Sequence, residues 1–282
     1  MKLNVLEIRE DAKELIKFHT SKSESKPCLA IVYADGYSKA SETYIRNKVK
    51  LADECGIQAY LIPIDMVNES QFRSALNATI SSLNSMDSIH GIIVQLPLPF
   101  GISDTEIANR ISPEKDVDGF NCQNIGSLIQ GTDGFVPATA FGIKLILDKY
   151  VELGGKDVLI INRSNIVGKP LIPLLLEADA TVTVAHSHTQ NLREKIKNAD
   201  VVITAVGIPH FINKNDMRTG QVYIDVSMNV DENGKLCGDI TKADYEVMDK
   251  LGVDYTTVPQ GVGVTTVTAL MLNTYLAWKG LE

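Results

Sequence analysis

From about Cys28 onward, short runs of β-branched and other apolar residues alternate with segments whose apolar positions recur at helical spacing. That alternation predicts successive βα units and hence mostly parallel sheets. In the first half the expected strands are Cys28 to Ala34, Ala59 to Ile64 and Ile89 to Leu96. Between the first two, Ala40 to Cys55 places Ile45, Val49 and Ala52 at helical spacing and runs into Gly56, a good C-terminal cap. Ser103-Asp-Thr-Glu106 has the form of a capping box, opening a short helix that the Pro113 region ends. A loop with Gly and Asp is expected from Lys115 to about Gly134, and Thr139 then caps a helix to about Leu153, closed by Gly154-Gly155.

The second half restarts the alternation, with strands expected near Asp157 to Ile161, Thr181 to Ala185, Asp200 to Val206, Gln221 to Val226 and Asp254 to Val258. Thr265 to Lys279 is apolar enough to pack as a helix. The fold expected is therefore α/β with two domains of mostly parallel sheet, residues 1–138 and 139–264, the helix from Thr139 bridging them and residues 265–282 returning to the first. The second domain reads as Rossmann-type, with the active-site cleft between the two.

A length of 282 residues with 44% hydrophobic and 22% charged content suits two cored domains. The net charge of -8 argues against capture of nucleic acid or an anionic membrane surface, since both need a basic face. No stretch is long and apolar enough to span a bilayer, and Met1 to Lys17 is amphipathic and dense in charge, unlike a signal peptide. Cys28, Cys55, Cys122 and Cys237 lie far apart with no C-x-x-C pair, so reduced thiols and a cytoplasmic setting are expected.

Candidate chemistry sits at strand ends. The strand ending at Ile161 runs into Asn162-Arg-Ser-Asn-Ile-Val-Gly-Lys-Pro170, a turn leading to a helix whose N-H groups can face a pyrophosphate. It is not G-x-G-x-x-G: Asn162 stands in the first glycine's place, and Asn tolerates positive φ better than most residues. Alone, the turn is equally a plain strand-turn-helix. The next strand ends in Ala185-His-Ser-His-Thr189, without the acid that an NAD-type site presents to the ribose roughly 20 residues on. Arg163 with Ser187 can instead hold a ribose phosphate, which favours NADP.

In the first half Ser41, Tyr44 and Lys48 form a polar stripe on the Ala40–Cys55 helix, either a cleft wall or a solvated face. Gln95 is a lone amide near the end of the apolar run from Gly91, either a ligand-facing group or a satisfied core amide. Asp118, in Lys115-Asp-Val-Asp-Gly-Phe120, belongs either to a simple turn or to a carboxylate offered to a nitrogen-rich ring. His19 and His90 stand alone, and His186 and His188 have no visible third partner, so no metal site is expected.

Taken in order, Tyr44-x-x-x-Lys48, V-Q-L-P-L-P from Val94, K-D-V-D-G-F from Lys115, R-S-x-I-V-G-K-P from Arg163, H-S-x-T from His186 and V-P-x-G-V-G from Val258 resemble the bifunctional methylenetetrahydrofolate dehydrogenase/methenyltetrahydrofolate cyclohydrolases over nearly the whole chain. The resemblance implies a homodimer of one-carbon metabolism acting on tetrahydrofolate derivatives. Such an enzyme oxidises methylenetetrahydrofolate with NADP and hydrolyses the methenyl product to formyltetrahydrofolate. It implies Lys48 as the key cyclohydrolase group, Tyr44 as the residue that stacks near and orients the folate, Gln95 tuning the lysine and Asp118 anchoring the pterin. The substrate set it implies is Ser41, Tyr44, Gln95, Leu96, Asp118, Pro259 and Gly261. The cofactor set is Thr139, Asn162, Arg163, Ser164, Ile166, Val167, His186, Ser187 and Met228.

Departures from the family pattern cluster on the cofactor side and at the domain junction: Asn162, Ala138, Ala140, Ser227, Gln260, Val264 and Thr265. Side chains at Asn162, Ser227 and Gln260 replace glycines where backbone approaches a ligand. Two alternatives follow, a member retaining one activity or a silent folate-binding paralogue. An unrelated Rossmann dehydrogenase would leave Val94 to Pro99 and Lys115 to Phe120 without purpose.

Overall fold

The structure is a computed structural model that describes residues 1–232 and 234–280, the side chain of Ala40 excepted. Its elements in chain order are α1 (Val5–Lys22), β1 (Cys28–Ala34), α2 (Lys39–Cys55), β2 (Gln58–Ile64), α3 (Glu69–Asn84), β3 (Gly91–Val94), α4 (Asp104–Ala108), α5 (Cys122–Gln130) and α6 (Ala138–Tyr150). Then follow β4 (Asp157–Ile161), α7 (Gly168–Glu177), β5 (Thr181–Ala185), α8 (Leu192–Asn198), β6 (Val201–Thr204), β7 (Val222–Asp225), β8 (Asn229–Val230), β9 (Leu236–Cys237), α9 (Lys242–Leu251), β10 (Asp254–Tyr255) and α10 (Val262–Lys279). The chain falls into two compact units, one of Glu10–Ala138 with Val267 onward, the other of Met1–Arg9 with Thr139–Thr266.

In the first unit a three-stranded sheet runs β2-β1-β3, and both pairings are parallel. Helix α3 buries Phe72, Leu76, Ile80 and Leu83, one helical stripe, in a cluster with Ala30, Val32 and Ile92 of the sheet. Each such side chain contributes about 1.5–3 kcal/mol by leaving water. Helix α2 starts where the Ser38 hydroxyl accepts the Ser41 N-H and stops at Gly56, whose φ of 74° suits glycine. β2 is the outer strand and leaves Tyr60 and Leu61 about half exposed. Deeper in the unit, the Asn273 amide of α10 donates to the Val117 and Val136 carbonyls at 2.8 and 2.9 Å.

The second unit is built on a five-stranded sheet, order β10-β7-β6-β4-β5, every neighbouring pair parallel. The chain runs outward from β4 to β5, then turns back across β4 to place β6, β7 and β10 on the other side. The topological switch point therefore lies between β4 and β6, the position where ligands bind in open α/β sheets.

Several expectations need correction. The segment expected as loop from Lys115 to Gly134 contains α5, capped by the Asn121 side chain and ended by Gly131 at φ 66°. Helix α4 ends at Ala108, before the Pro113 region. Thr139 lies inside α6 and does not cap it, and α6 ends at Tyr150 rather than near Leu153. The hairpin β8–β9 was not anticipated, and β3, β6, β7 and β10 are each shorter than their apolar runs. The first nine residues, expected with the first domain, group with the second unit. There Lys2 pairs with Tyr255, Tyr150 Oη donates to Asn4 O at 2.9 Å and Lys149 meets Glu7 at 3.2 Å. Residues 281–282 of the expected returning segment lie outside the described residues.

Candidate functional site

In the first unit, α2 and the end of β3 bring one set of predicted residues together. Ser41, Tyr44 and Lys48 share a face of α2, and Gln95 and Leu96 follow directly after β3. Lys48 Nζ donates to Gln95 Oε1 at 2.9 Å. Gln95 Nε2 donates to the Leu96 carbonyl at 2.7 Å, and Ser41 Oγ donates to that same carbonyl at 3.1 Å. The stripe is thus tied into a network rather than solvated throughout, while Tyr44 keeps a third of its surface accessible.

Asp118 completes the group electrostatically. Burial drives the Lys48 ammonium below its ordinary pKa, and attraction from Asp118 opposes this without cancelling it. Burial likewise raises the Asp118 carboxyl against the pull of Lys48. Both groups are therefore biased toward their neutral forms, the mark of desolvation outweighing charge attraction. Asp118 also lines a small cavity with Ile93, Val94, Leu96, Asp104, Asp116 and Phe120, apolar walls carrying three carboxylates.

The loop carrying Asp118 is shaped by residues the sequence reading passed over. The Asp116 carboxylate accepts the Gly119 N-H at 3.2 Å, the Asn121 N-H at 2.6 Å and the Asn124 amide at 3.1 Å. Burial still pushes Asp116 up to about 6 against those bonds. Gly119 has φ 78°, and a Cβ there would lie 2.6 Å from Pro137 N, so only glycine fits next to Asp118. The paired acids and glycine of Lys115-Asp-Val-Asp-Gly-Phe120 were the available signal.

In the second unit the expected nucleotide residues gather at the C-terminal edge of the sheet. Ile161 of β4 pairs with Ala185 of β5, so Arg163 and Ser187 stand at equal distances beyond adjacent strand ends. Both are exposed. His186 and Thr189 close a tight turn, with His186 N donating to Thr189 Oγ1 at 2.8 Å and Thr189 N to His186 O at 2.9 Å. Between β4 and α7 the Asn162 side chain accepts the Ser164 and Gly168 N-H groups at 2.7 and 3.1 Å. Ser164 Oγ accepts the Val167 N-H at 3.1 Å. The Arg163, Asn165 and Ile166 N-H groups have no protein acceptor among the described residues, and such open donors, with the Arg163 guanidinium, fit a pyrophosphate and ribose phosphate. A Cβ on Gly168 would lie 2.1 Å from Asn162 O, so the glycine lets α7 close onto the turn. Asn162 is not among the positive-φ residues, contrary to the backbone reason expected for it.

Of the other predicted residues, Thr139 sits in the first turn of α6. Met228 is exposed just before β8, and Pro259 and Gly261 lie in the turn after β10. Gln260, where the family pattern has glycine, holds φ 70°, a left-handed backbone that costs a side-chain-bearing residue energy. Ser227, another glycine replacement, accepts the Gly207 N-H through its hydroxyl at 3.1 Å. Two buried carboxylates that sequence reasoning missed organise these loops. Asp239 accepts the N-H groups of Val206, Gly207 and Ile208. Asp225 accepts those of Ser227, Asp239 and Ile240.

An open phosphate turn on a parallel doubly wound sheet, and a separate unit bearing a desolvated lysine, define an α/β enzyme of the nucleotide-dependent kind. Residues 3–118 match the model of the tetrahydrofolate dehydrogenase/cyclohydrolase catalytic domain, and residues 137–281 that of the family's NAD(P)-binding domain. The chain belongs to the tetrahydrofolate dehydrogenase/cyclohydrolase family. It is 45% identical to the bifunctional protein FolD of Campylobacter hominis over 276 residues, 96% of this chain and 95% of that one. To that of Aquifex aeolicus it is 42% identical, over 96% of this chain and 91% of the relative. Among solved structures, the bifunctional FolD of Campylobacter jejuni superposes with a TM-score of 0.92 at 36% identity, covering 99% of this chain and 98% of its own. The methylenetetrahydrofolate dehydrogenase-cyclohydrolase of Trypanosoma brucei, solved with NADP and an inhibitor, gives 0.85 at 31% identity over 98% of this chain and 94% of that one.

Proposed function

We infer that this chain is a bifunctional enzyme of one-carbon metabolism, oxidising methylenetetrahydrofolate to methenyltetrahydrofolate with NADP and hydrolysing the product to formyltetrahydrofolate. The observation that carries the site assignment is the Lys48–Gln95 bond at 2.9 Å on a lysine that burial biases toward the neutral amine. Hydrolysis of a methenyl cation needs a water deprotonated as it adds, and an amine with a lowered pKa can take that proton near neutral pH. Gln95 holds Nζ in place, Asp118 offers its carboxyl to the pterin, and Tyr44 orients the folate ring from the same face of α2.

In the second unit Arg163 and Ser187 hold the ribose phosphate, and the turn 163–166 holds the pyrophosphate. The bound nucleotide supplies the hydride acceptor. Oxidation at a carbon flanked by two nitrogens then asks the chain mainly for alignment. Thr139, His186, Met228, Pro259 and Gly261 are assigned to the same ligands on the family pattern. The folate domain is read as residues 10–138 with the C-terminal helix, and the nucleotide domain as residues 139–264 with the first nine residues.

The enzyme is read as a homodimer, supported by the outer strand β2, which leaves Tyr60 and Leu61 exposed beside an unpaired edge. Four free cysteines support a reducing compartment, the cytoplasm. Among the described residues no helix is long and apolar enough to cross a membrane. Lys48→Met tests the assignment: methenyl decay should fall to the uncatalysed rate while NADP still binds. Hydrolysis at the full rate in that variant refutes the role of Lys48. Failure of the wild-type protein to reduce NADP with methylenetetrahydrofolate refutes the dehydrogenase half.

A further inference from the structure

We propose that Asn162 is a cofactor-positioning residue, a brace across the switch point that presets the phosphate turn; this rests on the NADP reading above. The side chain makes three bonds in three directions. Its Oδ1 accepts the Ser164 and Gly168 N-H groups at 2.7 and 3.1 Å, and its Nδ2 donates to Ala205 O at 2.7 Å. Ile161 and Thr204 are the last paired residues of β4 and β6, so the Asn162–Ala205 bond extends that pairing by one position through a side chain. It lies at the end of the β4–β6 pairing, where the chain reverses direction and where a dinucleotide enters.

A glycine at this position would leave Ala205 O and both turn N-H groups without these partners. The far side of the crevice is held independently. The Asp239 carboxylate accepts the N-H groups of Val206, Gly207 and Ile208 at 2.8, 3.1 and 3.1 Å. The turn from Arg163 to Val167 has the Ser164 hydroxyl and Asn162. The carboxamide therefore orders the phosphate turn more than the loop it reaches to. With the Ser164 and Gly168 N-H groups taken up by Asn162, the Arg163, Asn165 and Ile166 N-H groups are left without a protein acceptor among the described residues. The side chain thus replaces glycine's close approach with a turn already in its ligand-ready shape, an affinity gained by prior ordering rather than by contact.

The test uses Asn162→Gly and Asn162→Ala, the second keeping Cβ so that glycine's backbone freedom is separated from loss of the carboxamide. In both, calorimetry should show the Kd for NADP rising about tenfold, as expected if the ready turn is populated only about one tenth of the time. Amide exchange should accelerate at Ser164 and Gly168 and stay slow at Gly207 and Ile208. Unchanged or tighter NADP binding in both variants overturns the inference, as does equal acceleration of amide exchange at Gly207 and Ile208, which would mark general loosening. Wild-type protein that takes up no NADP overturns the functional reading and this inference with it.

Discussion

Asp225 makes the stability of the second unit depend on pH in an unusual direction. Burial is the first cause, and with the nearby Asp239 charge it outweighs three N-H bonds and raises the carboxyl from an ordinary 3.8 to about 7. In the unfolded chain this group loses its proton near 3.8, whereas in the fold it keeps the proton until about pH 7. Its contribution is therefore fully present below pH 3.8 and is lost as pH rises through about 7. That gap corresponds to about 4 kcal/mol overall, of which about 3 kcal/mol falls between pH 5 and pH 8. Asp225→Asn removes the titration. Its amide would also face the Ile240 N-H, which now donates to Oδ2 at 2.9 Å, a donor-donor contact costing about 1–3 kcal/mol at every pH. The offset and the slope are thus separable. Urea denaturation followed by circular dichroism at pH 5, 6, 7 and 8 should show wild-type stability relative to the variant falling by about 3 kcal/mol across the series. Parallel pH curves for the two proteins would refute the reasoning, because other titrating groups, Asp116 included, are common to both.

Gln95→Leu removes the acceptor for the Lys48 ammonium, so the lysine pKa should fall further and the acidic limb of the hydrolysis pH profile should move to lower pH; a move upward contradicts the burial argument. Arg163→Ala should cut the ratio of kcat/KM with NADP to that with NAD by about tenfold or more, read by steady-state kinetics with each nucleotide, and an unchanged ratio removes Arg163 from the ribose phosphate site. Asn273→Leu leaves the Val117 and Val136 carbonyls without their amide and should cost about 2–4 kcal/mol in urea denaturation, with a loss below 1 kcal/mol counting against it.

The sheets were legible because parallel strands buried on both faces read as continuous apolar runs, and β1, β4 and β5 begin and end where those runs do. β3 and β6 stop sooner, because pairing partners rather than hydrophobicity decide where a ladder ends. Helix α5 was legible but passed over: Cys122, Ile125, Leu128 and Ile129 recur at helical spacing, with Asn121 before them and Gly131 after. Lys48, Gln95 and Asp118 were legible as residues, but their mutual geometry was not, since it depends on the register of α2 against the end of β3. Asp225 and Asp239 were invisible in the same way. A buried carboxylate serving loop N-H groups looks, in sequence, like any acid near a turn. Asn162 was singled out for a backbone conformation it does not adopt, and its side-chain bonds required the neighbouring strand to be seen.

The Leu96 carbonyl oxygen receives both the Ser41 hydroxyl and the Gln95 amide N-H. With both its lone pairs engaged, that oxygen locks which end of the Gln95 amide faces the lysine, and the oxygen end always meets Nζ. A deprotonated Lys48 therefore spends an N-H on Gln95, and its lone pair has to point elsewhere. A single main-chain atom, two bonds removed from the amine, thereby sets the compass heading along which a proton can arrive.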